Sequence, residues 1–389
     1  MKKIYWRPAG VSQSMLLLMA GIAILGMFTV EQVKTATPQK MYKEKMKAAR
    51  RMEESMRHLA QEREKRTGRF IDTDYDRFES GMLGEMMSEI TSTSGNITAK
   101  LSTTNPNWAA VMVELFRKAK LKSGDTVAIG LSGSFPALNL ATLIAADVMK
   151  LKVITIVGVT ASMWGANIPT FTWLDMEESL HEHRLISTRS IAASIGGQGD
   201  RGRGLSREGK QATKTAIERN SKLPSGDTLE FIEAKSFESS LEQRMSIYDR
   251  IADDQEIKAY VNVGGNTVSV GSILGKKLYK EGLNKRPSAK ALKVDCVMTR
   301  FAKRGLPVIH MIRVKNLAAK FGLPYELTKR PRVGEGSIFK REEYNLWLTS
   351  GVILLILALL YIFMKSDIGY RIFNSAGVKE EAGPPSPMV

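Results

Sequence analysis

Three small polar residues, Ser132, Gly133 and Ser134, stand between a β-prone apolar run and a segment with helical spacing. The apolar run is 126–131, and Pro136 suits the first turn of the helix that follows. This order predicts a turn between the carboxyl end of a strand and the amino end of a helix. Free backbone N–H groups and the helix dipole favour an anion at such a turn. The turn therefore indicates where a ligand would sit, but not which reaction, if any, takes place there.

Small polar residues also follow two other predicted strands. Ser162 comes soon after the apolar run VITIVGV, and Gly264, Gly265 and Asn266 come directly after AYVNV. In an open parallel sheet, ligands gather at the carboxyl ends of the strands. Hydroxyl and amide groups there suit a phosphate, a carboxylate or a sugar. The same residue types are also those that turns in such a fold require, and the sequence leaves both interpretations open.

Ser132 is also the candidate for a catalytic nucleophile. The segment GLSGS places this serine after a strand, as in a nucleophile elbow, although Ser134 replaces the last glycine of the G-x-S-x-G pattern. His310 would act as the base and Asp295 as its carboxylate partner, in the chain order Ser, Asp, His. No other feature of the sequence supports this triad, and His310 also fits a core or boundary position. A serine hydrolase is therefore the alternative hypothesis and not the first.

A second candidate site is a set of three arginines. Arg201 and Arg203 lie in the glycine-rich segment IGGQGDRGRG, which we expect to be a mobile loop, and Arg207 follows beside a predicted helix start. The segment matches neither a Walker loop nor a dinucleotide-binding fingerprint. A flexible loop with arginines can bind a polyanion. A disordered surface loop is the equal alternative.

No metal site is predicted. Asp175, Glu178, His181 and His183 are close together in the sequence, but they do not form the H-E-x-x-H pattern. On a helix the two histidines would point apart. We therefore expect a solvated charged helix at this position. The sequence identifies no cofactor.

The elements that must position these residues alternate between strands and helices. This alternation predicts an α/β fold with a mainly parallel, doubly wound sheet, which we assign to residues 68–340. The tetrapeptide Ser-Gly-Asp-Thr precedes two of the predicted strands, at 123–126 and at 225–228. The repeat hints at two related halves, 68–222 and 223–340.

Three segments ahead of the sheet have their own predictions. A helix is expected over 77–90, with Asp74 or Asp76 as its cap, and a loop rich in serine and threonine over 91–104. Segment 31–67 contains a basic juxtamembrane helix whose apolar residues share one stripe. This helix would lie on anionic headgroups or pair with another helix, and a solvated spacer is the alternative.

The charge of the chain indicates an anionic partner. The sequence has 389 residues and a formal net charge of +17. Nucleic acid, lipid headgroups and acidic polymers all fit this excess. Few aromatic residues accompany the basic stretches, which argues against nucleic acid. Cys296 is the single cysteine, so no intrachain disulfide can form.

Two uncharged apolar runs, 11–30 and 346–364, each have about the length of a bilayer-spanning helix. They predict two transmembrane helices, a short basic head at 1–10, and a largely disordered tail at 365–389. A cleaved signal peptide is the alternative for the first run. Basic residues that precede the first span and follow the second favour cytoplasmic termini, and therefore an extracytoplasmic α/β domain. Other basic residues flank the two spans on the side of the α/β domain, so a cytoplasmic domain stays open.

Five stretches along most of the chain carry a family resemblance: KKIYWRP, IGLSGSFPALNLA, VNVGG, PVIHMIRVKNLAAKFGLP and GEGSIF. Together with the early and late apolar runs, they resemble the poly-gamma-glutamate system protein family. The resemblance implies a bacterial membrane protein that accompanies the poly-γ-glutamate synthase and its transport components in capsule or polymer production. It implies no catalytic residues.

The expected function is that of a membrane-anchored accessory component that binds an anionic polymer, a precursor or a synthase subunit. The three arginines would contact carboxylates, and the turn Ser132–Ser134 would hold one terminal anionic group. The alternative is a serine-dependent amide hydrolase or transferase that acts on the polymer, with Ser132 at its centre.

Overall fold

The computed structural model describes residues 13–365, and the side chains of 17–362. The predicted head at 1–10 and nearly all of the predicted tail after Lys365 lie outside the described residues. The described chain forms two compact units. One unit is Pro38–Lys340, and the other combines the described residues before Pro38 with those after Lys340.

Helices and strands alternate through most of the larger unit, and each unit has its own short strands. In the described residues, the strands are β1 (Lys34–Pro38), β2 (Thr91–Thr93), β3 (Thr126–Ser132), β4 (Lys152–Gly158), β5 (Ala161–Ser162), β6 (Asn167–Ile168), β7 (Phe171–Thr172), β8 (Ala192–Ser194), β9 (Glu230–Ile232), β10 (Ile257–Val263), β11 (Gly282–Asn284), β12 (Val308–Met311) and β13 (Lys340–Tyr344).

The described helices are α1 (Gln13–Gln32), α2 (Tyr42–Thr67), α3 (Ile97–Thr103), α4 (Trp108–Lys118), α5 (Pro136–Val148), α6 (Trp173–Glu182), α7 (Arg207–Arg219), α8 (Phe237–Ala252), α9 (Thr267–Val270), α10 (Ser272–Leu278), α11 (Val297–Lys303), α12 (Val314–Phe321) and α13 (Leu346–Lys365). A short 3₁₀ helix spans Ala291–Lys293.

A sheet of seven strands, in the order β11-β12-β10-β3-β4-β8-β9, forms the centre of the larger unit. All its strands run parallel except β11, which is antiparallel to β12. From β3 the chain adds strands in one direction as far as β9, and then returns to the other side of β3 with β10 and β12. The topological switch point therefore lies between β3 and β10, where open sheets of this kind bind ligands.

The predicted α/β fold with a mainly parallel sheet is confirmed. Strands β3, β4 and β10 appear within two residues of the apolar runs that predict them, because fully buried parallel strands read as continuous apolar runs. One sheet extends across both of the suggested halves, and the larger unit is not divided between them.

The predicted helix over 77–90 is wrong. The segment contains turns and extended backbone, because the buried Asp76 carboxylate accepts hydrogen bonds from Ser80 N, Ser80 Oγ and Gly81 N at 2.9–3.0 Å. These bonds stabilise a turn and not the first turn of a helix. The predicted loop over 91–104 instead contains β2 and α3. Asn96 caps α3 by accepting from Ala99 N at 2.8 Å.

Helix α2 belongs to the α/β unit. Its apolar stripe is buried against α4 and α5, with Ala48, Met52, Met56 and Leu59 in the main core. Of the interpretations offered by the sequence, pairing with other helices is the one observed. The boundary between the units falls at Pro38 and not after residue 67, because this stripe contributes to the same core as the sheet.

The smaller unit contains α1, β1, β13 and α13, and β1 pairs with β13. Its two helices pack closely at Gly26, where an added Cβ would lie 2.5 Å from Val352 Cγ1. Tyr344 donates from its hydroxyl to Glu31 at 2.9 Å. Within the described residues, no helix combines the length and the apolarity needed to cross a membrane.

Candidate functional site

Most of the predicted site residues come together at the carboxyl ends of the strands. Ser132 ends β3 beside the switch point, and Gly264 follows β10 directly opposite. A Cβ added to Gly264 would lie 3.2 Å from the Cβ of Ser132, so the two turns are in direct contact. Gly133 lies closer still to the backbone that follows β4, since its added Cβ would be 2.4 Å from Val159 O. Only glycine fits where the two backbones come this close.

The backbone N–H groups of this turn are not free, which corrects the sequence-based expectation. Gly133 N donates to Gly158 O at 2.9 Å, and Ser134 N donates to Ser132 Oγ at 3.2 Å. Phe135 N donates to Ser132 O at 3.4 Å. The serine hydroxyl thus closes its own turn, as serine side chains often do. An anion would have to displace these bonds to bind the amides.

The cation at this site is Lys100, which the sequence did not single out. It lies on α3 and is 2 % exposed. Its Nζ lies 2.8 Å from Ser162 Oγ, donates to the carbonyl oxygen of Ser134, and stands 4.3 Å from the centre of the Phe135 ring. No ion pair with Lys100 occurs within the described chain. Burial without an anion lowers the pKa of Lys100 to about 7.

Ser162 reaches this lysine because β5 pairs with β2, with Ser162 opposite Thr93. Ser162 N donates to Ser134 Oγ at 3.1 Å, which joins the two turns. Two residues later, Trp164 has a left-handed backbone with φ of 56°. Its buried indole N–H has no hydrogen-bond partner among the described residues.

Gly265 and Asn266 occupy different surroundings from each other. A Cβ at Gly265 would lie 2.6 Å from Lys276 Nζ, and burial lowers the pKa of this second lysine. Asn266 lies over the end of β4, where its Nδ2 would be 2.6 Å from a Cβ on Gly158. Its Oδ1 accepts from Val268 N at 3.0 Å, so Asn266 acts as the cap of α9.

The hypothetical triad does not assemble. His310 is fully buried, and its Nδ1 lies 3.0 Å from Asn262 Nδ2. Asp295 instead pairs with Arg300 at 2.9 Å. Burial, followed by the nearby Arg313 and other cations, lowers the pKa of His310 to about 3. His310 is therefore a core residue, the interpretation that the sequence also allowed.

The glycine-rich loop is fixed at its centre by a buried ion pair. Asp200 is fully buried, and Arg244 of α8 donates to it from Nε at 3.0 Å and from Nη2 at 2.8 Å. Ser194 and Ser240 also donate to this carboxylate. Burial raises the pKa of Asp200, but the arginine and the hydroxyls outweigh burial and hold the pKa below its usual value. This anchor was not expected in a loop predicted to be mobile.

The three arginines project from this anchored loop and from α7. Arg201, Arg203 and Arg207 are exposed, and none forms an ion pair with another described residue. The base of the loop lies at the strand ends, because a Cβ at Gly196 would be 2.8 Å from Thr160 Oγ1.

Arg207 also borders an open groove of about 580 Å³ along α7. The other side chains of this groove include Glu208, Gln211, Thr215 and Arg219.

Asp175 does not lie on a solvated helix face as expected. It is fully buried and caps α6 together with Thr172. Arg219 donates to its carboxylate from Nε and Nη2, at 2.8 Å each, and Asn220 donates at 2.9 Å. Across the described residues, no group of three or more histidine, cysteine or acidic side chains is arranged to hold a metal ion.

The sequence contained no local signal for Lys100 or for the Asp200–Arg244 pair. Lys100 lies on a helix that composition had assigned to a loop, and the pair joins residues 44 positions apart. No protein-family model, curated protein or solved structure matches this chain.

Proposed function

We propose that this protein is a membrane-anchored accessory component of bacterial poly-γ-glutamate production or export, and that its α/β unit binds the anionic polymer, a precursor or a synthase subunit. The observation that carries the proposal is the set of three exposed, unpaired arginines on a rigid base. The net charge of +17 and the family resemblance of the sequence agree with it.

The arginines suit a polymer of carboxylates for a physical reason. A guanidinium group can donate two parallel hydrogen bonds to one carboxylate. Because Asp200 and Arg244 fix the loop, Arg201 and Arg203 lose less conformational freedom on binding than they would on a mobile loop. The groove beside Arg207 offers an open path along α7 for an extended chain.

Membrane attachment is part of the same proposal. Large apolar side chains are exposed along α1 and α13, including Leu17, Leu25 and Phe28 on the first helix and Leu354 and Leu357 on the second. Apolar surface of this extent is stabilised in a bilayer. We propose that the apolar runs 11–30 and 346–364 cross the membrane and that the α/β unit between them faces the outside.

Polymer binding is tested with the full chain in detergent and poly-γ-glutamate of defined length. The variant R201Q/R203Q/R207Q should bind about tenfold more weakly at low salt, because exposed ion pairs contribute about 0.2–1 kcal/mol each. Its affinity should also depend less on the NaCl concentration. The matched control is K43Q/K47Q/R50Q, which removes three exposed charges from α2. Unchanged binding of the arginine variant at low salt would contradict the proposal.

Topology is tested separately in intact cells. Single cysteines at Ser94, which is exposed, and at Ser375 are introduced in a Cys296→Ala background. An impermeant thiol reagent should label only the cysteine at position 94. Labelling only at position 375 would place the α/β unit in the cytoplasm and favour a role in synthesis over one in export.

A further inference from the structure

Beyond polymer binding, we infer that Ser162 and Lys100 form a nucleophile and general base for acyl transfer, with an amide or ester carbonyl as substrate. This activity does not depend on the proposed binding function. The inference rests on three features of the strand-end site: the contact between the two side chains, the surroundings of the lysine, and the unused donor of a nearby tryptophan.

The contact has the geometry that proton transfer requires. Lys100 Nζ and Ser162 Oγ are 2.8 Å apart, within the hydrogen-bond range of a nucleophile and its base. Ser132, the nucleophile suggested by the sequence, has no such partner: its Oγ accepts from Ser134 N, and no histidine, lysine or carboxylate bonds to it within the described residues. The structure thus transfers the candidate role from Ser132 to Ser162.

The surroundings of the lysine favour a neutral amine. Its Nζ faces one carbonyl oxygen, one hydroxyl and the face of one aromatic ring, which belong to Ser134, Ser162 and Phe135. A neutral amine can donate to the carbonyl and accept from the hydroxyl, and in that state its lone pair would point at Ser162. A buried ammonium would need an anion, and none pairs with it in the described part of the chain. Burial alone lowers the pKa of Lys100 to about 7.

The reaction balances with these two groups and water. Lys100 Nζ takes the proton of Ser162 Oγ as the oxygen attacks the carbonyl carbon. The carbon–nitrogen or carbon–oxygen bond to the leaving group breaks, and Lys100 gives the proton to that group. Water then attacks the acyl-serine ester with Lys100 as base, which releases the carboxylic acid and restores Ser162.

Nearby residues supply position and an additional donor. The bond from Ser162 N to Ser134 Oγ and the pairing of β5 with β2 fix the serine backbone. Trp164 follows in a left-handed conformation, a strained state that often occurs at functional sites. Its buried indole N–H has no hydrogen-bond partner among the described residues.

The test is covalent labelling of the full chain by a fluorophosphonate probe, with the modified residue identified by peptide mass spectrometry. Ser162 should be labelled in the wild-type protein. Ser162→Ala should abolish labelling, and Lys100→Met should slow it at least 100-fold, as loss of a general base does. Ser225→Ala, an exposed serine of another loop, is the matched control and should label normally.

The pH profile separates a base from a structural lysine. The labelling rate of the wild-type protein should rise through an apparent pKa of about 7 and then level off, because only the neutral amine accepts the proton. Ser162→Cys keeps a nucleophile without emptying the site and should still react with iodoacetamide, which confirms that the site is folded and accessible.

Three results would overturn the inference. The first is a wild-type protein in which Ser162 stays unlabelled, and the second is a Lys100→Met variant that labels at the wild-type rate. The third is loss of labelling in Ser132→Ala but not in Ser162→Ala, which would return the role to the serine of the β3 turn. Since no polymer is used, none of these results bears on the arginine-dependent binding.

Discussion

Two buried basic side chains lie beyond the carboxyl ends of the same sheet, in opposite electrostatic surroundings. Arg244 is 2.8 Å from the Asp200 carboxylate, and two serines also donate to that anion. Among the described residues, Lys100 Nζ has no anionic partner and contacts a carbonyl, a hydroxyl and a ring. A paired arginine cannot give up its proton and fixes a loop, whereas an unpaired lysine can lose its proton and become a base. Both side chains are buried, yet the pKa of Arg244 is raised and that of Lys100 is lowered, so the partner, more than the burial, separates the two cations.

The largest expected effect comes from removing the anion of the buried Asp200–Arg244 ion pair. Asp200→Asn leaves the Arg244 charge buried without an anion, and the free energy of unfolding should fall by about 3–5 kcal/mol. Urea unfolding followed by tryptophan fluorescence measures the loss. Asp227→Asn, on an exposed turn, is the control and should change stability by less than about 0.5 kcal/mol. A loss below about 1 kcal/mol for Asp200→Asn would show that the pair is not a structural anchor.

Lys100, the buried basic side chain without an anionic partner, should make the stability of the protein depend on pH. Since the pKa of Lys100 is lowered in the folded protein, the unfolded chain binds the proton more tightly between pH 7 and the ordinary lysine pKa of about 10.4. The contribution of Lys100 to stability should therefore rise with pH across this window, by at most about 1.4 kcal/mol per pH unit. The free energy of unfolding of the wild-type protein and of Lys100→Met, measured between pH 6 and pH 10, isolates that slope. If the two free energies change with pH in parallel, Lys100 is charged in the folded protein.

A substitution that displaces the turn after β3 should affect the surroundings of Lys100 and not the loop held by Asp200. Gly133→Ala places a Cβ 2.4 Å from Val159 O, and the resulting shift of the turn should destabilise the protein by about 1–3 kcal/mol. It should also displace Ser134 and Ser162 relative to Lys100, and so reduce probe labelling. Limited proteolysis of loop 195–204 should stay at the wild-type rate, because Asp200 still anchors it. Faster cleavage of that loop would show that the two regions are coupled.

Single hydroxyl groups on the two sides are compared last, and the smallest expected effect is that of Ser162→Ala. Ser240→Ala removes a donor to a buried carboxylate and should destabilise the protein by about 1.5–3 kcal/mol. Ser162→Ala removes a bond to a neutral amine and should destabilise it by only about 0.5–1.5 kcal/mol. Thermal and urea unfolding of both variants under one condition gives the difference. Equal losses would remove the electrostatic distinction between the two regions.

The sequence was sufficient for the central strands of the sheet, which follow local patterns, whereas the short strands β8 and β11 were not predicted. The buried apolar runs of β3, β4 and β10 and the small residues after them predict a site at the strand ends. Helix α12 is another element set by local signals, since its apolar stripe and its stop signal both lie within one short segment. The stop signal is Gly322, which directly follows the last helical residue. Gly322 itself has a left-handed conformation.

The chemistry of the site depended on contacts between distant residues. Ser162 and Lys100 are 62 positions apart, and Arg244 and Asp200 are 44 apart, so no spacing rule could join them. The free amides expected at this turn are bonded instead: Gly133 N donates to β4, Ser134 N to the Ser132 hydroxyl and Phe135 N to Ser132 O. The helix expected over 77–90 fails because Asp76 bonds to Ser80 and Gly81 in a turn.

The most direct test of the central claim is the titration of Lys100 itself. Lysine labelled with ¹³C at Cε is introduced into the full chain, and the Lys100 resonance is assigned by its absence in Lys100→Met. We expect this resonance to titrate with a pKa of about 7, well apart from that of exposed lysines. A pKa near the ordinary value of about 10.4 would mean that the folded protein holds a charged ammonium beside Ser162, and would contradict its role as a base.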